Sequence, residues 1–142
     1  MTEQIALNRG WEFTEAFDDS FLNGEGSFPE ADLPHTCREL PYNYFDESEY
    51  QMVCGYRKKI AIPDHWADKR VFLYVGAAGH SAQVFAGGRM VAEHACGYTA
   101  FRAELTGAII PGRELLLVIR VDSRESQNIP PFGHVIDYMT YG

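Results

Sequence analysis

The sequence predicts an all-β chain folded as an antiparallel β-sandwich. Three observations carry this expectation. Eight or so short runs rich in β-branched and aromatic residues recur at near-regular spacing, with turn residues between them. Two such runs, His80 to Ala86 and Arg89 to His94, are separated only by Gly87-Gly88, a hairpin signal because the tight turn needs φ > 0. No stretch shows an amphipathic helical period of useful length.

Taken in order, Ile5 to Phe13 reads as the first strand, with Trp11 and Phe13 on one alternating face. Asp18 to Glu30, rich in Gly, Ser and acid, reads as a surface loop. Pro34 then holds Leu33 extended. Pro41 to Tyr50 packs Tyr42, Tyr44, Phe45 and Tyr50 among acidic residues and fits neither strand nor helix. It reads as a long aromatic loop, a candidate for core, for interface or for stacking on sugar. Tyr56 to Ile62 alternates as a strand with one wet face. Pro63-Asp64-His65-Trp66 predicts a single helical turn.

The unbroken apolar run Val71 to Val75 predicts a strand buried on both faces. After the hairpin come Phe101 to Leu105 and Leu115 to Val121, joined across the turn dipeptide Pro111-Gly112. In the second of these, Leu115, Leu117, Ile119 and Val121 share one face. Ser123 to Ile136 returns to loop, with Pro130-Pro131 barring regular structure.

Composition narrows the function. The chain has 142 residues, one domain by size, and is 46% hydrophobic, enough for a packed core. A formal charge of −8 argues against nucleic acid and anionic membrane as partners, since both need a basic surface. Uncharged sugars are compatible with it. Three widely spaced cysteines, Cys37, Cys54 and Cys96, predict reduced thiols. With no signal-peptide pattern after Met1, they lead to the expectation of a cytoplasmic protein.

Catalytic motifs are not legible. The five histidines, His35, His65, His80, His94 and His134, stand at no zinc-ligand spacing, and His94-Ala95-Cys96 is only a fragment of a site. The glycine-rich patches lack the lysine and following helix of a phosphate cradle. A Ser81, His94, Asp122 triad can be written on paper, but no nucleophile-elbow motif supports it. Twenty acidic residues offer too many carboxylate pairs for sequence to choose the two that glycoside hydrolysis requires. No cofactor, metal site or catalytic residue is therefore expected within these residues.

Several segments, in order, carry a resemblance. They are Leu7-Asn8-Arg9-Gly10-Trp11-Glu12-Phe13, Leu33-Pro34-His35-Thr36, Tyr56-Arg57-Lys58, the central Val71 to Phe101 stretch, Ile129-Pro130-Pro131-Phe132-Gly133 and Asp137-Tyr138. Together they resemble the N-terminal sugar-binding domain of glycoside hydrolase family 2, most like that of a β-galactosidase. Gly87 stands where the family has a turn Asn, and Cys96 where it has the first Gly of Gly-Gly-Tyr.

The resemblance implies a galactose-binding-type jelly roll spanning residues 1–142, and a catalytic barrel lying downstream in a longer enzyme. It implies that this domain docks on the barrel and completes one wall of a pocket for a β-galactoside or related carbohydrate. Asp137 matches an aspartate that reaches into that pocket, and Asn43 matches an asparagine that does the same; both are substrate-binding candidates. The family continues past Tyr141-Gly142 into one more strand. A chain without that strand is expected to self-associate through an unpaired sheet edge. The alternatives are a free-standing carbohydrate-binding module and a domain making only protein contacts.

Overall fold

The computed structural model describes residues 2–39 and 46–129. The described strands are β1 (Trp11–Thr14), β2 (Glu30–Ala31), β3 (Val53–Ala61), β4 (Phe72–Val75), β5 (Ser81–Ala86), β6 (Arg89–Ala95), β7 (Phe101–Glu104) and β8 (Glu114–Asp122). A short helix, α1 (Asp19–Leu22), lies between β1 and β2. Six strands form an antiparallel sheet in the order β2-β1-β3-β8-β5-β6, and β4 and β7 form a second, two-stranded sheet. The spine is the β3–β8 pair, matched residue for residue from Val53↔Asp122 to Ala61↔Glu114.

The two sheets enclose one core, and strand alternation explains its membership. Leu115, Leu117, Ile119 and Val121 all point inward from β8, as Ala82, Val84 and Ala86 do from β5. Leu73 of β4 and Ala103 of β7 meet them from the other sheet, and Trp11, Tyr50, Cys54 and Tyr56 complete the cluster. The sandwich and its hairpin match the sequence expectation. Gly87 and Gly88 take φ of 59° and 83°, the left-handed pair that a two-residue turn between β5 and β6 demands. The helical turn after Pro63 is present as a single 3-10 turn, Asp64–Trp66.

Three expectations need correction. The first strand begins at Trp11, not Ile5, which is exposed. The preceding stretch instead runs irregularly, with the Trp11 indole N–H donating to the Leu7 carbonyl and Leu33 N–H to the Asn8 carbonyl. The β4 run is buried on one face only: Leu73 is inside, while Phe72 and Tyr74 are 42% and 64% exposed. These rings stand on the outer side of the two-stranded sheet, opposite Glu104 and Arg102 in register, and the Arg70 guanidinium lies 5.0 Å from the Phe72 ring centre.

The third correction concerns Asp18 to Glu30, which lies at the surface as expected but carries α1 and is anchored to the core. Asp18 caps α1 by accepting the Phe21 N–H at 2.8 Å, and Phe21 is fully buried. What draws the segment in is Arg57 of β3, only 4% exposed. Its guanidinium donates to Glu12 Oε2 at 2.9 and 2.6 Å, and to the carbonyls of Phe21, Glu25 and Gly26 at 3.0, 2.7 and 2.8 Å. The Phe21 and Phe28 rings lie 4.6 and 5.0 Å from it. Gly55 makes room for the arrangement, because a Cβ there would come within 2.7 Å of the Phe21 ring. Of the aromatic residues of Pro41 to Tyr50, Tyr50 belongs to the core, while Tyr42, Tyr44 and Phe45 lie outside the described residues.

Candidate functional site

One end of the sandwich carries a cleft of about 340 Å³, lined by His80, Ser81, Asp122, Arg124, Glu125, Ser126 and Ile129. Strand register builds it. Ser81 opens β5 and Asp122 closes β8, and the two are direct partners in the ladder, so their side chains share a face. The His80 N–H donates to the Asp122 carbonyl at 2.9 Å, and the His80 carbonyl accepts from Cys96 N–H at 3.0 Å.

The segment after β8 is held against the one before β3. Ser123, fully buried, donates its hydroxyl to the Tyr50 carbonyl at 2.5 Å and accepts the Met52 N–H at 3.1 Å. The Tyr50 hydroxyl donates to Glu125 Oε1 at 3.1 Å, so the floor under Glu125 is itself a core side chain.

Electrostatically the cleft is polar and slightly acidic. The Asp122 carboxylate is gripped by Arg124 in a fork, Nε to Oδ1 at 2.9 Å and Nη2 to Oδ2 at 2.6 Å. Burial opposes the charged carboxylate, but the Arg124 side chain and backbone N–H outweigh it and hold the Asp122 pKa below its ordinary value. Arg124 is raised in turn by the same contact. Burial pushes the His80 pKa down, against the pull of Glu125 and Asp122. A cleft of carboxylate acceptors, two serine hydroxyls and Ile129, with the His80 ring buried, suits a polyhydroxylated ligand.

The two residues singled out from sequence, Asn43 and Asp137, both lie outside the described residues. From sequence, His80 stands out only among histidines without zinc-ligand spacing, Ser81 and Asp122 only in the unsupported triad, and Arg124, Glu125, Ser126 and Ile129 not as site residues at all. The signal that could have found them is the polar run Asp122-Ser123-Arg124-Glu125 closing a strongly alternating strand. The paper triad does not form. His94 is the ladder partner of Ala82, on the opposite face from Ser81 and Asp122, and its Nε2 lies 2.8 Å from Thr99 Oγ1.

The three cysteines are free thiols. Cys37 and Cys54, distant in sequence, meet in the core beside Ser123. The hydrogen bond between them lowers the Cys37 pKa and, with burial, raises that of Cys54. Among the described residues no cluster of His, Cys, Asp or Glu is arranged to hold a metal, and no helix is long and apolar enough to cross a membrane.

No protein-family model matches the chain. Among curated proteins it is similar to the β-galactosidase of Thermoanaerobacterium thermosulfurigenes, 37% identical over 145 residues and covering 100% of this chain. It is also similar to the β-galactosidase of Thermoanaerobacter pseudethanolicus, 38% identical over 119 residues, 83% of this chain and 16% of that protein. Among solved structures it resembles Bacteroides uniformis β-glucuronidase, with a TM-score of 0.77, 26% identity, and 96% of this chain matched to 16% of that one. The chain thus spans about 20% of the length of the first of these relatives. With the likeness running through nearly all of its sequence and its antiparallel sandwich, the chain resembles a domain of the glycoside hydrolase family 2 enzymes.

Proposed function

We propose that these residues form the sugar-binding domain of a β-galactosidase-like enzyme. In this reading the domain docks on a catalytic barrel and supplies part of the wall of its sugar pocket. The observation that carries the reading is the polar cleft at the end of the sandwich. The turn Glu47–Glu49 and the stretch through Ile129, beyond which Asn43 and Asp137 lie in sequence, are tied together beside it by the Tyr50–Glu125 hydrogen bond. Asp137 and Asn43 would then reach past the cleft to sugar hydroxyls, a carboxylate accepting from two neighbouring hydroxyls and an amide both donating and accepting. The reading includes a jelly-roll strand order and a cytoplasmic setting, the latter supported by the three free thiols.

Hydrolysis itself is assigned to the barrel, so the domain alone should not turn over aryl β-galactosides. The test is Asp137→Ala and Asn43→Ala in the full-length enzyme. Each should lower kcat/KM for an aryl β-galactoside by about tenfold or more, the loss of one to two hydrogen bonds to substrate. The melting temperature should stay within a degree or two. Kinetics unchanged in both variants would overturn the assignment.

A further inference from the structure

Two nucleophilic side chains far apart in sequence meet in the core, away from the residues that line the cleft. Cys37 lies on the irregular chain after β2, and Cys54 lies on β3, opposite Val121 of β8 in register. Both are free thiols buried in the one hydrophobic cluster, at 3% and 0% exposure. The Cys54 S–H donates to the Cys37 sulfur. We propose that this pair is a modification site, which hydrogen peroxide converts to an intramolecular disulfide. Cys37 is the attacking sulfur and Cys54 the resolving one.

Three features support the assignment. The sulfurs already meet in a hydrogen bond, whereas cysteines whose side chains point apart cannot be bridged without backbone movement. The contact also divides the roles. Cys37 accepts the Cys54 S–H and the Arg38 backbone N–H, which outweigh burial and lower its pKa. The same contact, with burial, raises that of Cys54. The thiolate is the nucleophile, so the first step belongs to Cys37. Access is the third feature. Residues 32–39 belong to no strand or helix, and their ties include Leu33 N–H to the Asn8 carbonyl, the His35–Tyr56 side-chain contact and the exposed Arg38–Glu15 pair. Such a segment opens locally at far lower cost than the β3–β8 ladder, enough to admit a molecule as small as peroxide.

In the first step the Cys37 thiolate attacks a peroxide oxygen, the O–O bond breaks and hydroxide leaves, giving Cys37 sulfenic acid. In the second the Cys54 sulfur displaces hydroxide from that sulfur and forms the S–S bond, its proton leaving with the hydroxide as water. Two thiols and one hydrogen peroxide thus give one disulfide and two waters, with two electrons passing from sulfur to oxygen. The bridge closes a ring around residues 38–53 and pins the chain after β2 to β3.

The test is a peptide map of the full-length enzyme, treated with hydrogen peroxide, blocked with iodoacetamide in urea and digested with trypsin without reduction. Cleavage after Arg9, Arg38, Arg57, Arg89 and Arg102 places Cys37, Cys54 and Cys96 in separate peptides, 10–38, 39–57 and 90–102. Peptides 10–38 and 39–57 should appear joined, in about tenfold excess over either one joined to 90–102, because the fold holds that pair together. Dithiothreitol should release both. Absence of the joined species overturns the proposal, as does an even spread of cross-links over the three cysteines; neither result depends on a variant's folding. Oxidation of the pair that dithiothreitol does not reverse also overturns it, since the sulfurs would then have passed to sulfinic acid. The roles are read with dimedone, which should label Cys37 in Cys54→Ala and leave Cys54 unlabelled in Cys37→Ala. The opposite pattern overturns the assignment of roles.

Discussion

Removing the Arg57 side chain should be among the most damaging single changes in this domain. Arg57→Ala deletes a guanidinium that is 4% exposed and bonded to one carboxylate and three backbone carbonyls. The Glu12 partner is 38% exposed, so the ion pair by itself is discounted to about 1 kcal/mol or less. The carbonyls weigh more. Those of Phe21, Glu25 and Gly26 turn inward to meet the guanidinium, and without it each must find water or remain unsatisfied, at roughly 1 kcal/mol or more apiece.

Loss of the contacts with Phe21 and Phe28 adds about 1 kcal/mol. The total, about 3–5 kcal/mol, agrees with the usual cost of breaking a buried charged network. It is a large part of the roughly 5–15 kcal/mol that holds a domain together. Urea unfolding followed through the emission of buried Trp11 measures it, with a midpoint lowered by about 2 M at an m-value near 2 kcal/mol/M. Glu12→Gln is the control: it keeps the three carbonyl bonds and should lose only about 1 kcal/mol. If Arg57→Ala costs no more than Glu12→Gln, the carbonyl cage is not what anchors residues 17–28, and the reasoning fails.

Two further outcomes follow from local geometry. Gly87→Val places a β-branched side chain at φ near 59° and should lower stability by about 1–3 kcal/mol, read from the thermal midpoint. An unchanged midpoint would show that the turn tolerates a Cβ. Asp122, whose pKa is depressed in the folded state, stabilises the fold fully above its unfolded pKa of about 3.9, and that contribution is lost as pH falls through the lower folded value. The stability gap between wild type and Asp122→Asn should therefore be constant near neutrality and close in acid. A gap that widens on acidification would reverse the assigned sign.

The residues themselves determined what depends on near neighbours. The inward face of β8 is written in the alternation of Leu115, Leu117, Ile119 and Val121, and the β5–β6 hairpin in Gly87-Gly88, because strand periodicity and turn dihedrals are properties of a few adjacent residues. The family resemblance was legible for a different reason, the order of several motifs along the chain, and Asn43 and Asp137 came only from that resemblance.

Tertiary structure decided the rest. Asp18 to Glu30 looks like solvated loop until Arg57, far along the chain, gathers its carbonyls. The β4 run looks fully buried until the second sheet is seen to leave Phe72 and Tyr74 outside. The cleft is of the same kind. Ser81 and Asp122 become neighbours only when β5 pairs with β8, and Glu125 is placed only when Tyr50 rises beneath it. No local pattern encodes such meetings, since each is stabilised by burial and hydrogen bonding between segments whose separation in sequence carries no record of their contact.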